Sequence, residues 1–134
     1  MSGPIAVSWD HLHLRSPDPE TTARFYMTML GARETGRMEL RGALRIVLDL
    51  AGTQLFVEQV PAGTASPPPP PFLGLEHIGL RVVDLDAAAA TLRALGVRFL
   101  AEPRQARPDT RVAFIEAPDG MRVELIQRDE VPSP

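Results

Sequence analysis

Asp10-His11-Leu12-His13-Leu14-Arg15-Ser16-Pro17-Asp18 recurs 66 residues further on as Glu76-His77-Ile78-Gly79-Leu80-Arg81-Val82-Val83-Asp84. An acid–His pair, a Leu-Arg pair and a closing Asp superpose between the two copies. Each copy alternates apolar and polar residues, the pattern of a half-buried strand. Self-similarity at a fixed offset marks one supersecondary unit used twice.

Working outward, each block runs into a helix. Asp18-Pro19-Glu20 supplies an N-cap, a proline for the first helical position and an acid for the first turn. Ala23, Tyr26, Met29 and Leu30 then form an apolar stripe, and Gly31 stops the helix. In the second copy Asp84 caps, the stripe is Leu85, Ala88, Leu92 and Leu95, and Gly96 stops it. Three strand-like runs follow in each half: 33–38, 43–50 and 54–60, then 97–101, 111–117 and 121–127. The last two runs of each half are joined by Ala51-Gly52-Thr53 or Pro118-Asp119-Gly120, which suits a hairpin. Residues 61–74 hold five consecutive prolines, Pro67 to Pro71, and read as an extended spacer. A single domain is expected, built of a module over 8–60, the linker 61–74 and a second module over 75–128.

Composition narrows the chemistry. The 134 residues are 44% hydrophobic and 23% charged, within the range of a soluble globular chain. No apolar run approaches the roughly 18 residues of a membrane helix. The opening MSGPIAVSWDHLHL lacks the basic and long apolar regions of a signal peptide, so a cytoplasmic location is expected. Cysteine is absent, which removes disulfides, thiolate nucleophiles and Cys-ligated zinc. All 14 basic residues are arginine. Without lysine there is neither Schiff-base chemistry nor a Walker-type phosphate loop. A net charge of −3 with scattered arginines gives no footprint for nucleic acid. The near-neutral titrating side chains are His11, His13 and His77.

Paired βαβββ modules with a histidine near the start of each, and Asp119-Gly120-Met121-Arg122-Val123-Glu124-Leu125 near the end, resemble the vicinal oxygen chelate superfamily. That group includes glyoxalase I, methylmalonyl-CoA epimerase, extradiol dioxygenases, fosfomycin-resistance thiol transferases and bleomycin-binding proteins. The resemblance spans about residues 8 to 128 and implies an α+β fold in which two tandem βαβββ modules form a curled mixed β-sheet cup. Fold alone does not carry function.

In metal-dependent members, each module supplies one ligand from its first strand and one from its last. Carried over, these positions are His11 and His77 on the first strands and Glu124 on the last strand of the second module. Aligning Gly52-Thr53-Gln54-Leu55-Phe56 with Gly120-Met121-Arg122-Val123-Glu124 places Phe56, which cannot bind a metal, at the fourth. Two imidazoles and one carboxylate with open positions form the set associated with non-haem Fe(II) oxygenases; Mn, Co, Ni or Zn could also occupy it. Glu58 shares the face of Phe56 two residues on, and a β-bulge would swing it toward the metal as a fourth ligand. His13, on the face of His11, is either a hydrogen-bonded wall or an acid/base group for the substrate. Trp9, Phe56 and Phe114 are candidates for an aromatic wall of a substrate pocket that also includes Glu58, though core packing accounts for the rings equally well. Arg15 and Arg81, present in both copies, read as structural.

The leading expectation is therefore an Fe(II)-dependent dioxygenase acting on an oxygen-chelating aromatic substrate and dioxygen. Such compact chains resemble tailoring enzymes of aromatic polyketide pathways, which implies a place in antibiotic biosynthesis. Alternatives are a divalent-metal isomerase, epimerase or lyase of the glyoxalase type, a metal-free antibiotic-binding protein, and a degenerate structural module. The superfamily also implies a homodimer, in which the two modules of one chain pair with each other or exchange with those of a second copy.

Overall fold

Both repeats fold as β-α-β-β-β in the computed structural model, which describes residues 3–129. The first comprises β1 (His11–Ser16), α1 (Pro19–Leu30), β2 (Arg33–Leu40), β3 (Ala43–Leu50) and β4 (Thr53–Gln59). The second comprises β5 (Ile78–Arg81), α2 (Leu85–Ala94), β6 (Phe99–Arg107), β7 (Thr110–Glu116) and β8 (Arg122–Arg128), with a single turn of 3-10 helix at Pro118–Gly120. Each forms a four-stranded mixed sheet, in the orders β1-β4-β3-β2 and β5-β8-β7-β6. First and last strands lie side by side and parallel, and the remaining neighbours are antiparallel. The chain divides between Thr64 and Ala65 into two compact units, one per module.

Alternation along the strands decides which face is buried. In the first unit Ile46, Leu48, Leu50, Leu55 and Val57 are buried, as are Ala23 and Tyr26 of α1. In the second, Ala113, Ile115, Val123 and Leu125 are buried with Leu85, Ala89 and Leu92 of α2. Each such Leu, Ile or Val contributes about 1.5–3 kcal/mol relative to exposure. The helix starts are as read from sequence: Asp18 Oδ1 accepts from Thr21 N at 3.2 Å and Asp84 Oδ1 from Ala87 N at 3.1 Å. Gln127 of β8 adds a link to α2, its Oε1 accepting from Leu85 N at 2.7 Å.

Four local expectations are corrected. On α2 the buried alanine is Ala89, with Ala88 only half-buried, and Leu95 is 53% exposed. The helix ends at Ala94 in a reverse turn: Gly96 N donates to Arg93 O and Val97 N to Leu92 O, with Gly96 at φ +85°. That turn also delays β6, which starts at Phe99 rather than Val97 and runs on to Arg107. On α1, Met29 and Leu30 are half-buried. Finally β2 reaches Leu40 instead of stopping at Met38. Both strands that outrun their expected ends, β2 and β6, are sheet edges, where polar side chains on both faces and Pro103 are tolerated.

Candidate functional site

The face of each sheet opposite its helix carries the candidate residues. On β4, Leu55 and Val57 are buried while Gln54, Phe56 and Glu58 alternate to the other side. The parallel ladder sets His11 beside Gln54, His13 beside Phe56 and Arg15 beside Glu58. In the second unit Gly79 pairs with Glu124 on β8, and Phe114 of β7 pairs with Glu124 from the other side. Phe56 pairs in the same way with Val47. The ladders thus establish Phe56 as the counterpart of Glu124, and His13 as the counterpart of Gly79.

In the second unit His77, Glu124 and Phe114 come together. The Nδ1–H of His77 donates to Glu76 Oε2; a carboxylate only accepts, so the proton sits on Nδ1. His77 Nε2 then faces Glu124 Oε1 at 3.5 Å. Donors about 2.0–2.2 Å from one ion are about 2.8–3.1 Å apart at right angles and about 3.3–3.6 Å apart at a tetrahedral angle, so the observed separation falls at the tetrahedral end. The pair therefore fits two ligands of a divalent metal. A Cβ at Gly79 would sit 3.4 Å from Glu124 Oε1, so glycine leaves room for the carboxylate. Phe114 stands edge-on to His77 with centroids 5.0 Å apart.

The first unit gathers His11, His13, Phe56 and Glu58 into a different arrangement. The rings of His11 and Phe56 stack at 4.1 Å and 14°, and His13 meets Phe56 edge-on at 5.9 Å. The Nδ1–H of His11 donates to Asp10 Oδ2 at 2.6 Å. Glu58 accepts from Arg45 Nη2 at 3.1 Å, and its other oxygen is 3.4 Å from His13 Nε2 and 3.8 Å from Arg15 Nε. The Arg45 guanidinium, aided by His13, holds the Glu58 carboxyl below the usual carboxylate range. The β3–β4 register runs without a shift from Arg45↔Glu58 to Leu50↔Thr53, so no bulge turns Glu58 out of line. Trp9 is 83% exposed ahead of β1. Arg81 Nη2 donates to Arg128 O at 3.2 Å. Within either unit, no three His, Asp or Glu side chains among the described residues gather as a metal site.

A model of the Glyoxalase/Bleomycin resistance protein/Dioxygenase superfamily matches residues 8–125. The chain belongs to that superfamily. Solved structures agree on the fold. SMU.1112c is 25% identical with a TM-score of 0.75, covering 90% of this chain and 98% of its own. A glyoxylase/bleomycin resistance protein/dioxygenase domain from Frankia sp. EAN1pec is 21% identical with a TM-score of 0.77, covering 97% and 96%. A genomically encoded fosfomycin resistance protein from Listeria monocytogenes is 17% identical with a TM-score of 0.73, covering 92% and 94%. No curated protein matches the chain. Among the described residues no helix is long and apolar enough to cross a membrane.

Three features of this superfamily member escaped the motif reading. Asp10 and Glu76 hold the histidine rings, a role signalled only by the repeated acid–His pair. Arg45 and Arg122 brace the two site faces, and nothing in their spacing marked them. Pro67 to Pro70, read as spacer, line a cleft of about 620 Å³ in the second unit with Phe72 and Arg122.

Proposed function

We propose that this protein is a divalent-metal oxygenase, with His11, His77 and Glu124 as ligands and Fe(II) as the metal that suits two imidazoles and one carboxylate. The observation that carries the reading is the pair of counterpart positions: Glu124 stands 3.5 Å from His77 Nε2, whereas Phe56 fills the equivalent place with a ring stacked on His11. Three protein ligands leave positions for a bidentate aromatic substrate, such as a catechol or hydroxyquinone, and for dioxygen. When bound, the ion supplies those positions and a redox couple. The third ligand, His11, comes from a first module of the same chain or of a second copy in a homodimer.

The side chains supply orientation and proton handling. Phe56 and Phe114 offer flat apolar surface to a substrate ring. His13 faces Glu58 through Nε2 at 3.4 Å, with Glu58 anchored in turn by Arg45, so its other ring nitrogen, Nδ1, is the group to take the proton of a substrate hydroxyl. With Glu58 held by Arg45, the first module offers the metal no carboxylate, which disfavours the four-ligand isomerase arrangement. Tailoring of an aromatic polyketide is the physiological setting this chemistry fits.

Metal analysis of anaerobically purified protein, repeated on His77→Ala and Glu124→Ala, tests the proposal. Near-stoichiometric iron, lost in both variants, with oxygen uptake on adding catechols or hydroxyquinones, supports it. Nickel, cobalt or zinc without oxygen uptake replaces it with the isomerase reading. No metal, even after reconstitution, leaves a binding protein.

A further inference from the structure

Four side chains of the second unit, His77 among them, form a closed circuit of contacts. Its Nδ1–H donates to Glu76 Oε2, and Glu76 Oε1 lies 3.1 Å from Arg122 Nε. The Arg122 guanidinium carbon sits 5.1 Å from the Phe114 ring centroid, and Phe114 returns to His77 edge-on at 5.0 Å. Every member is thereby held by two others. A glutamate alone, half in solvent, would sample several rotamers; the Arg122 charge, an ion-pair neighbour whose Nε–H makes no hydrogen bond, favours the one that lies against it.

The first unit lacks the circuit. Its ladders put Gln54 where Arg122 stands and Val47 where Phe114 stands. Asp10 does accept from His11, but its side chain is 80% exposed. His11 also has no carboxylate in the place that Glu124 takes beside His77. The same βαβββ scaffold therefore offers one histidine braced and paired, and one held by a single exposed acid.

We infer that Glu76, paired with Arg122, is a positioning residue that holds the proton of His77 on Nδ1, presents Nε2 toward Glu124, and makes the second module the half that takes up a divalent cation first. This rests on the metal reading above for its second part only; the tautomer claim concerns the metal-free protein.

Two readouts test it on the full chain. In metal-free protein, long-range proton–nitrogen correlation of the histidine rings should show His77 protonated on Nδ1. Glu76→Ala should move His77 to a mixture of tautomers, and Arg122→Met, which keeps an apolar stem over Phe114, should move it part of the way. Zinc titration by calorimetry should then show Glu76→Ala weakening affinity about ten- to hundredfold, and Asp10→Ala by a smaller factor. His11→Ala should retain weakened binding, and His77→Ala should abolish it. An unchanged His77 tautomer in Glu76→Ala overturns the positioning role. An equal or larger loss in Asp10→Ala overturns the order of loading while leaving metal binding intact. Absence of zinc binding by the unaltered protein sinks the metal reading and the loading order together, and the tautomer measurement still decides what Glu76 does.

Discussion

The two modules share a buried face and differ on the open one. Beneath the helices the counterparts are Leu55 and Val123, then Val57 and Leu125, all buried. On the opposite face, His13 and Phe56 of the first module answer to Gly79 and Glu124 of the second. The exchange is paired. A small residue on the first strand accompanies a carboxylate on the last, and a second imidazole accompanies an aromatic ring. Duplication supplied two equal scaffolds, and because side chains alternate between sheet faces, one face could diverge without disturbing the core.

Restoring symmetry is the largest perturbation we expect. Phe56→Glu should place a carboxylate beside His11 as Glu124 stands beside His77. Zinc or iron affinity should rise at least about tenfold, in the range of a single added ligand contact, while oxygen uptake with catechols falls to background. Calorimetry and an oxygen electrode read the two effects; tighter metal with unchanged oxygen uptake would count against an open position as the purpose of Phe56. The buried faces should respond alike. Leu55→Ala and Leu125→Ala should each cost about 2–5 kcal/mol in denaturant unfolding, and a much smaller loss at one of them would break the equivalence of the cores.

A gentler distinction is pH dependence. Glu58 has a depressed pKa, so its ion pair with Arg45 stabilises the fold fully above the usual carboxylate value near 4.5 and is lost as pH falls through the lower folded value. The stability gap between the unaltered protein and Glu58→Gln should be constant near neutrality and shrink below about pH 4.5. Ile126, the counterpart in the second module, gives no such term. Smallest of all, Asp18→Ala and Asp84→Ala each remove one N-cap and should lower Tm by only a few degrees, to a similar extent in both modules.

Much of this was legible in the sequence because local chemistry and repeat period agreed. The capping aspartates, the Leu-Gly helix ends and the 66-residue offset located the helices, and the match of Gly52 with Gly120 aligned Phe56 with Glu124. What misled was the edge of each sheet: β6 reads as Phe-Leu-Ala-Glu-Pro-Arg-Gln-Ala-Arg, too polar and proline-interrupted to show a two-residue period. The meeting of His77 with Glu124 was legible, but the supports of the candidate site were not. Arg122 and Arg45 act on residues 46 and 13 positions away, and only strand pairing brings them there. The proline run had the composition of a spacer, while its packing along the second unit depends on the Asp119-Gly120 turn, where a Cβ on Gly120 would lie 3.5 Å from Pro67.

The parallel pairing of first with last strand has a consequence for how the protein is made. Glu124 is synthesised 47 residues after His77, and α2, β6 and β7 intervene in the chain between two strands that are direct neighbours in the sheet. Such non-local pairing forms late and slowly. An emerging chain therefore presents His77 before β8 has brought Glu124 beside it.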